Sequence, residues 1–368
     1  MPDVDVAILG GGCAGLSVAA RLARSRVSFR VVEPRERYSD DRAWSFWRTA
    51  PDPFEECVRA SWSGWTVEGP RALVRRSSRC MLYQTVPAGA FYARAEDLID
   101  DAPGGSIVRG TSATGVAPAA GGAVRVDTSD GSFTARHVLD GRPPARRPSY
   151  GQFFLGHEVA TAEAIFDPCT VPLMHFRRGY SAGVDFLYIL PFARDRALVE
   201  VTSFAPARPS REVFAAWLAD EIAALGIRSH DVLREEAGAL PMEVGYAETP
   251  AAGVTRIGLG GGAARPSTGY AFQRIQAQAD ALAAALASGC APRLPAERPM
   301  TRFMDRVFLQ VLATAPERGP ALFESLFRNA PPERLERFLS GSTRAADRLS
   351  VMAALPPLPF LRAAARPA

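Results

Sequence analysis

Lysine is missing altogether. All 43 basic residues are arginines, a compositional habit expected of a GC-rich coding sequence that carries no functional signal. Cysteine is scarce and scattered: Cys13, Cys57, Cys80, Cys169 and Cys290 form no CxxC pair and no His–Cys spacing at ligand distance. That pattern argues against a disulfide framework and against a zinc site, and the thiols read as reduced ones in a cytoplasmic protein. No run of 18 apolar residues occurs, which disfavours a spanning helix, and the opening MPDVDVAIL enters a strand pattern without a basic region, so no signal peptide is expected. Internal repeats and a recognisable nucleic-acid module are also wanting.

What remains is an ordinary globular composition. Of 368 residues, 47% are hydrophobic and 22% charged, enough chain for two packed cores. The net charge is +4, and residues 300–368 alone hold 10 Arg against 6 acidic residues, so the excess sits at the C-terminal end. An acidic partner is expected there, with anionic lipid competing with nucleic acid, for which no module is recognisable.

The strongest local signal lies at the start. Asp5–Leu9 is a short buried-strand run, followed by Gly10-Gly-Gly12-Cys-Ala-Gly15 and the helical pattern LSVAARLARSR. This is G-x-G-x-x-G in its required setting, a loop whose glycines permit a tight turn and close backbone approach while the helix start offers free N–H groups to a pyrophosphate. A second strand, Val27–Val32, ends in Glu33, at the distance of about 20 residues where an acid accepts from a ribose hydroxyl. The extreme N-terminal position favours FAD over NAD. Two later stretches agree: a strand-to-turn run around Asp140 in Ala135–Arg142, and the loop Arg256–Tyr270 with Gly260, Gly261, Gly262, Pro266 and Gly269, which leads into the helical run AFQRIQAQADALAAALA.

These pieces predict an α/β protein with a Rossmann-type FAD-binding domain, a β-sheet substrate domain and a helical C-terminal segment. The FAD-binding domain is expected to be discontinuous, over 1–60, 88–145 and 250–292. The substrate domain would comprise 61–87 and 146–249, where β-branched and aromatic residues alternate. The joint APRLPAERP opens the segment 293–368, whose runs FMDRVFLQVL, ALFESLF and RLERFL carry apolar residues at helical spacing with arginine interleaved, suited to packing on the domain or to membrane contact.

Taken together, DRAWSFW (41–47), GQFFLGHEV, FDPCTVPLMHF (166–176), FLYILPF (186–192), ALVEVTSF (197–204), REEAGALPM (234–242) and GLGGGAARPSTGY resemble the bacterial lycopene β-cyclase family, in family order across most of the chain. The resemblance implies an enzyme of carotenoid biosynthesis that binds reduced FAD, with NAD(P)H as reductant, and cyclises the ψ-ends of lycopene or a related linear carotenoid without net redox change, an intramolecular lyase or isomerase. With a substrate that dissolves only in lipid, the basic, apolar C-terminal segment leads to the expectation of a cytoplasmic protein held peripherally on the inner face of the cell membrane, and no nucleic-acid partner is expected. The sequence departs from the family at Val201, where a second acid often follows the glutamate, and at Ala264 and Arg265, where an aromatic residue and a histidine are usual.

Cyclisation needs a proton donor, a dry site and aromatic faces or diffuse negative charge around a cation. The resemblance puts the acid at Glu200, and Trp44, Phe46, Trp47, Phe186, Tyr188 and Phe192 could supply the faces. His157 with Glu158 is either a second proton handler or, the preferred reading, a satisfied core histidine. From pattern alone Glu200 shares its face with Leu198, Thr202 and Phe204, a mixed set, and the turn ARDR (193–196) leaves its register open. The rival reading is a redox flavoenzyme of the aromatic hydroxylase or isoprenoid reductase type, although Gly258-Leu-Gly260 lacks the acid of the Gly-Asp motif such enzymes carry.

Overall fold

The computed structural model describes residues 1–179 and 181–365. In chain order, β1 (Val4–Leu9), α1 (Cys13–Leu22) and β2 (Phe29–Glu33) form the opening unit. Next come β3 (Ala43–Trp47), β4 (Ala60–Trp62), β5 (Gly64–Glu68), β6 (Leu73–Ser77) and β7 (Tyr83–Pro87), then α2 (Ala88–Asp100). Four strands follow, β8 (Gly105–Arg109), β9 (Ala113–Pro118), β10 (Val124–Thr128) and β11 (Gly131–Asp140). The long strands β12 (Gly151–Thr161), β13 (Thr170–His175), β14 (Val184–Ala193) and β15 (Arg196–Ala205) precede α3 (Arg211–Ala224), β16 (His230–Pro241), β17 (Val254–Arg256) and α4 (Phe272–Ala287). The chain closes with α5 (Pro299–Thr314), α6 (Gly319–Asn329), α7 (Pro332–Leu339), α8 (Ala345–Ala354) and α9 (Pro357–Ala364).

The first sheet runs β8-β2-β1-β11-β10-β9, with β17 beside the second half of β11. β1 lies between β2 and β11, parallel to both. Its side chains alternate: Val6 and Ile8 pack with α1, α2 and α4, while Ala7 and Leu9 pack on the opposite face with Val124, Val126 and Phe133. A central strand covered on both faces reads as a continuous apolar run. Leaving it through Leu9 brings the chain to the glycine loop at the carboxyl end of the parallel strands, the usual ligand edge of such a sheet.

The second sheet has the order β16-β12-β15-β14-β13-β5-β6. One face carries Leu155, Leu187, Ile189, Val199 and Val201 against Phe214, Trp217, Leu218 and Ile222 of α3. Each such buried side chain contributes about 2 kcal/mol by removal from water. Ser210 starts α3 by accepting from the Val213 backbone N–H. The other face, with Leu198 and Phe204, joins a core that extends into α5, α6, α7 and α8 through Val307, Phe323, Phe338 and Val351. A small third sheet has the order β3-β7-β4, so residues 61–87 divide: β5 and β6 enter the second sheet and β7 enters the small one.

The sequence expects helices after the APRLPAERP joint, and α5, α6 and α7 hold the runs FMDRVFLQVL, ALFESLF and RLERFL. Proline opens α5, α7 and α9, where its fixed φ suits the first helical position. Arg366, Pro367 and Ala368, part of the basic C-terminal segment, lie outside the described residues. Among the described residues no helix is long and apolar enough to cross a membrane.

Candidate active site

A cavity of about 840 Å³ lies between the glycine loop, the inner face of the second sheet and α6. At one end Gly10, Gly12, Gly15 and Glu33 line it. Gly10 holds φ 95°, a left-handed conformation natural to glycine. A Cβ on Gly15 would fall 2.1 Å from the Gly10 carbonyl oxygen, whereas a Cβ on Gly12 would meet no atom within 4 Å and would occupy the space above the loop. The start of α1 has no side-chain cap, so its first N–H groups have no intrahelical partner. Glu33 is buried at the end of β2. Its Oε2 accepts from the Gly11 N–H at 2.6 Å, and its Oε1 accepts from the Arg35 backbone N–H at 3.0 Å and from Arg35 Nε at 2.6 Å. Free N–H groups, open space and a fixed carboxylate suit a pyrophosphate followed by a ribose.

The second sheet supplies the opposite wall. Tyr188 pairs with Glu200 across β14 and β15, so the short turn at Arg194-Asp195 turns Phe186, Tyr188, Leu198, Glu200, Thr202 and Phe204 to the cavity. Glu200 therefore points inward. On the other side Gly156 of β12 is the register partner of both Glu200 and Glu236 of β16. The two glutamates are two strand spacings apart, about 10 Å between backbones, and their side chains hydrogen-bond above the glycine. A Cβ on Gly156 would stand 3.1 Å from the Glu200 Cβ and 3.2 Å from its Cγ.

Both carboxyls are buried and line the cavity. Thr202 Oγ1 donates to Glu200 Oε1 at 2.8 Å. Arg234 Nη1 donates to Glu236 Oε2, and the Ala43 backbone N–H also supports Glu236. Loss of hydration and the negative Glu236 push Glu200 far above the ordinary carboxylate range. Burial also raises Glu236, but Arg234 opposes that rise. Burial and like-charge repulsion thus favour the protonated form of Glu200, whereas Arg234 favours the carboxylate of Glu236. Behind them Glu158, on the same face of β12, is bound by Arg59, Arg196 and Arg234 and lies off the cavity wall.

Apolar and aromatic groups complete the wall. Trp44, Tyr83, Tyr270, Phe272, Phe323 and Phe327 line it. Tyr83 and Tyr188 share a hydrogen bond of 2.9 Å, and burial pushes both phenols well above their usual range, so both stay neutral.

Several residues singled out in the sequence stand off these walls. Phe46 shares the face of Trp44 but lies further along β3, stacked on Phe272 at 4.6 Å. Trp47 turns to the other face, edge-on to Tyr83 at 4.8 Å and Trp65 at 5.8 Å. Phe192 lies near the end of β14 under the Arg59 guanidinium, 3.8 Å from its ring centroid. Asp140 is engaged by Arg142 and Arg256, both at 2.8 Å, and the next residues, Gly141 and Arg142, line the cavity instead. Gly260 and Gly261 pack against Arg256 and Gly262 faces Ala247, while Pro266 is followed by the lining run Ser267–Phe272, which includes Gly269. In the first part of that loop the lining residues are Gly258 and Leu259. His157 faces away from the cavity and bonds Glu235 at 3.3 Å, because neighbouring strand residues point to opposite faces.

A family model described as lycopene cyclase protein matches residues 5–365. The chain belongs to the lycopene cyclase family. A lycopene beta-cyclase from Pseudescherichia vulneris is 27% identical over 97% of this chain and 95% of its own. Among solved structures, a geranylgeranyl bacteriochlorophyll reductase-like protein from Thermoplasma acidophilum superposes with a TM-score of 0.66 at 14% identity, covering 98% of each chain. A flavin-dependent monooxygenase, PieE, solved with FAD and substrate, gives 0.55 at 14% identity over 96% of this chain and 72% of its own. At these identities the likeness is one of fold.

In this lycopene cyclase family member the departures noted in the sequence acquire a location. Val201 packs toward α3, on the face opposite Glu200, so a carboxylate there would point away from the cavity; the second cavity carboxyl comes from Glu236. Ala264 and Arg265 are buried behind the loop. Arg265 bonds Asp305 of α5 at 3.3 Å and the Phe338 carbonyl of α7, tying the loop to the C-terminal helices. Sequence reasoning passed over Glu236, Gly156, Tyr83 and Tyr270. The block REEAGALPM did contain Glu236, and strand alternation allows only one of Glu235 and Glu236 to face inward.

Proposed function

We propose that the chain is an FAD-dependent lycopene β-cyclase that closes the linear ψ-ends of lycopene into β-rings, giving γ- and β-carotene by acid–base chemistry without net redox change. The observation that carries this reading is a buried carboxyl, Glu200, whose surroundings favour its protonated form, in an apolar and aromatic cavity that also contains the glycine loop. Glu200 delivers a proton to the terminal alkene; the resulting tertiary cation is attacked by the next double bond, and loss of a proton leaves the β-ring. Tyr188, Phe186, Trp44, Tyr83 and Tyr270 present faces to the cation and keep water out. Gly10, Gly12 and Gly15 receive the pyrophosphate of FAD, Glu33 its ribose, and Gly269 lies along the same wall. When bound, reduced FAD, kept so by NAD(P)H, supplies negative charge near the cation.

The nucleotide role falls to 1–60, 88–145 and 250–292, and the substrate role to 61–87 and 146–249. Leu349, Met352, Leu358 and Leu361 are each more than half exposed on α8 and α9, beside Arg344, Arg348 and Arg362. Exposed apolar groups next to arginines suit an anionic lipid surface, the medium that holds a carotenoid, and support peripheral attachment to the inner face of the cell membrane.

The test is pigment chromatography after incubation with lycopene and reduced FAD. Wild type should yield cyclic carotenoid, and Glu200→Gln, which keeps the shape and removes the acid, should bind FAD and yield none. Turnover of Glu200→Gln near the wild-type rate would remove the acid from this reading. NAD(P)H oxidation in step with substrate loss would favour the redox flavoenzyme that the fold also accommodates.

A further inference from the structure

We propose that Glu236 is a second catalytic residue, forming with Glu200 a carboxyl pair that holds one proton, gives it to the substrate and receives a different one from the closing ring. This rests on the cyclase reading and extends it. The two side chains come from strands that are not neighbours and meet because residue 156, between them, has no side chain. Both line the cavity; burial and the repulsion between two carboxylates favour one shared proton, while the Thr202 hydroxyl and Arg234 favour the charged form of Glu200. Arg234 and the Ala43 N–H hold the Glu236 carboxylate, Thr202 donates to Glu200, and Tyr83 and Tyr188 are neutral. Glu158, the remaining acid on this face, is saturated by three arginines.

The proton balance follows. At rest the pair bears one proton and one negative charge. Transfer from the Glu200 carboxyl to the terminal alkene carbon leaves two carboxylates facing one carbocation, which their combined charge stabilises. The alkene π electrons form the new C–H bond, and the next double bond supplies the pair that closes the ring. Breaking the C–H bond beside the ring cation regenerates a double bond and returns a proton to the pair. No external acid, base, oxidant or reductant enters, and like-charge repulsion between the carboxylates drives the return.

The experiment compares wild type, Glu236→Gln and Gly156→Ala, each saturated with FAD, in lycopene turnover across pH and in the infrared titration of the protonated carboxyl assigned by its loss in Glu200→Gln. Glu236→Gln should lose roughly a hundredfold in turnover. Its alkaline limb, and the infrared titration of Glu200, should both move to lower pH, because the negative neighbour that holds the proton is gone. Gly156→Ala should shift both the same way with both carboxyls retained, and it carries the test if Glu236→Gln fails to fold. Slower turnover with an unmoved limb would overturn the proposal, as would near-wild-type turnover. If wild type binds FAD but leaves lycopene unchanged, the cyclase reading fails, while the infrared shift still reports on the pair.

Discussion

Glu236 and Glu200 meet over Gly156: the two carboxyls hydrogen-bond across a strand whose facing residue contributes no side chain. In a β-sheet, groups on alternate strands are normally separated by the side chain between them. Here that separation is absent, and two buried carboxyls meet at the wall of the cavity.

Gly12 faces the space that a pyrophosphate would occupy. Gly12→Val should therefore give soluble apoprotein, with far-ultraviolet circular dichroism like wild type and no stoichiometric flavin absorbance. Gly15→Ala should act differently, because its Cβ would meet the Gly10 carbonyl oxygen and disturb the loop itself. That variant should lower thermal stability as well as FAD content. Stoichiometric FAD in Gly12→Val would show that the pyrophosphate lies elsewhere.

Glu158 is held down to about 2 by its arginines, against an ordinary value of 4.5, although burial alone would raise it. A depressed carboxyl stabilises the fold above its unfolded value, and that stability is lost as pH falls from 4.5 through 2. The gap corresponds to about 3 kcal/mol at neutral pH. Glu158→Gln should accordingly lower unfolding stability by about 2 to 4 kcal/mol at pH 7, since it also leaves the half-buried Arg59 and Arg234 without this anion. Denaturant midpoints at successive pH values should show the deficit shrinking below pH 4.5; a deficit independent of pH would contradict the ion-pair account.

The exposed Leu349 and Met352 of α8 and Leu358 and Leu361 of α9 should carry the chain to membranes. Flotation with anionic liposomes at low salt should recover the wild type with the lipid, and replacing these four residues by serine should leave it in the soluble fraction. Equal recovery with and without liposomes would remove the membrane assignment.

How far the site was legible depends on how local each signal is. The strand, glycine loop, helix and Glu33 follow one another within about 30 residues, so spacing alone identified them, and β1, α1 and β2 appear where expected. Glu200 was legible as a residue but not as a direction: the turn after β14 left the register open, and only the pairing with Tyr188 sets its face. Glu236 was illegible because its meaning depends on β12 lying between β15 and β16, a long-range pairing that no local periodicity carries. Phe46 and Phe192 illustrate the same limit. Each lies on the same side of its strand as a cavity residue, Trp44 or Tyr188, but further along, and alternation fixes a face without fixing where a cavity ends.

The most direct measurement of the central claim is the hydrogen inventory of the product. Lycopene turned over in deuterated water, with FAD reduced beforehand and NAD(P)H monitored, should give cyclic carotenoid carrying one deuterium per ring at the protonated carbon. Total hydrogen count should be unchanged and NAD(P)H consumption far below one per ring. A product enriched by two hydrogens with one NAD(P)H oxidised per turnover, or a cyclic product containing no deuterium, would contradict proton-initiated ring closure.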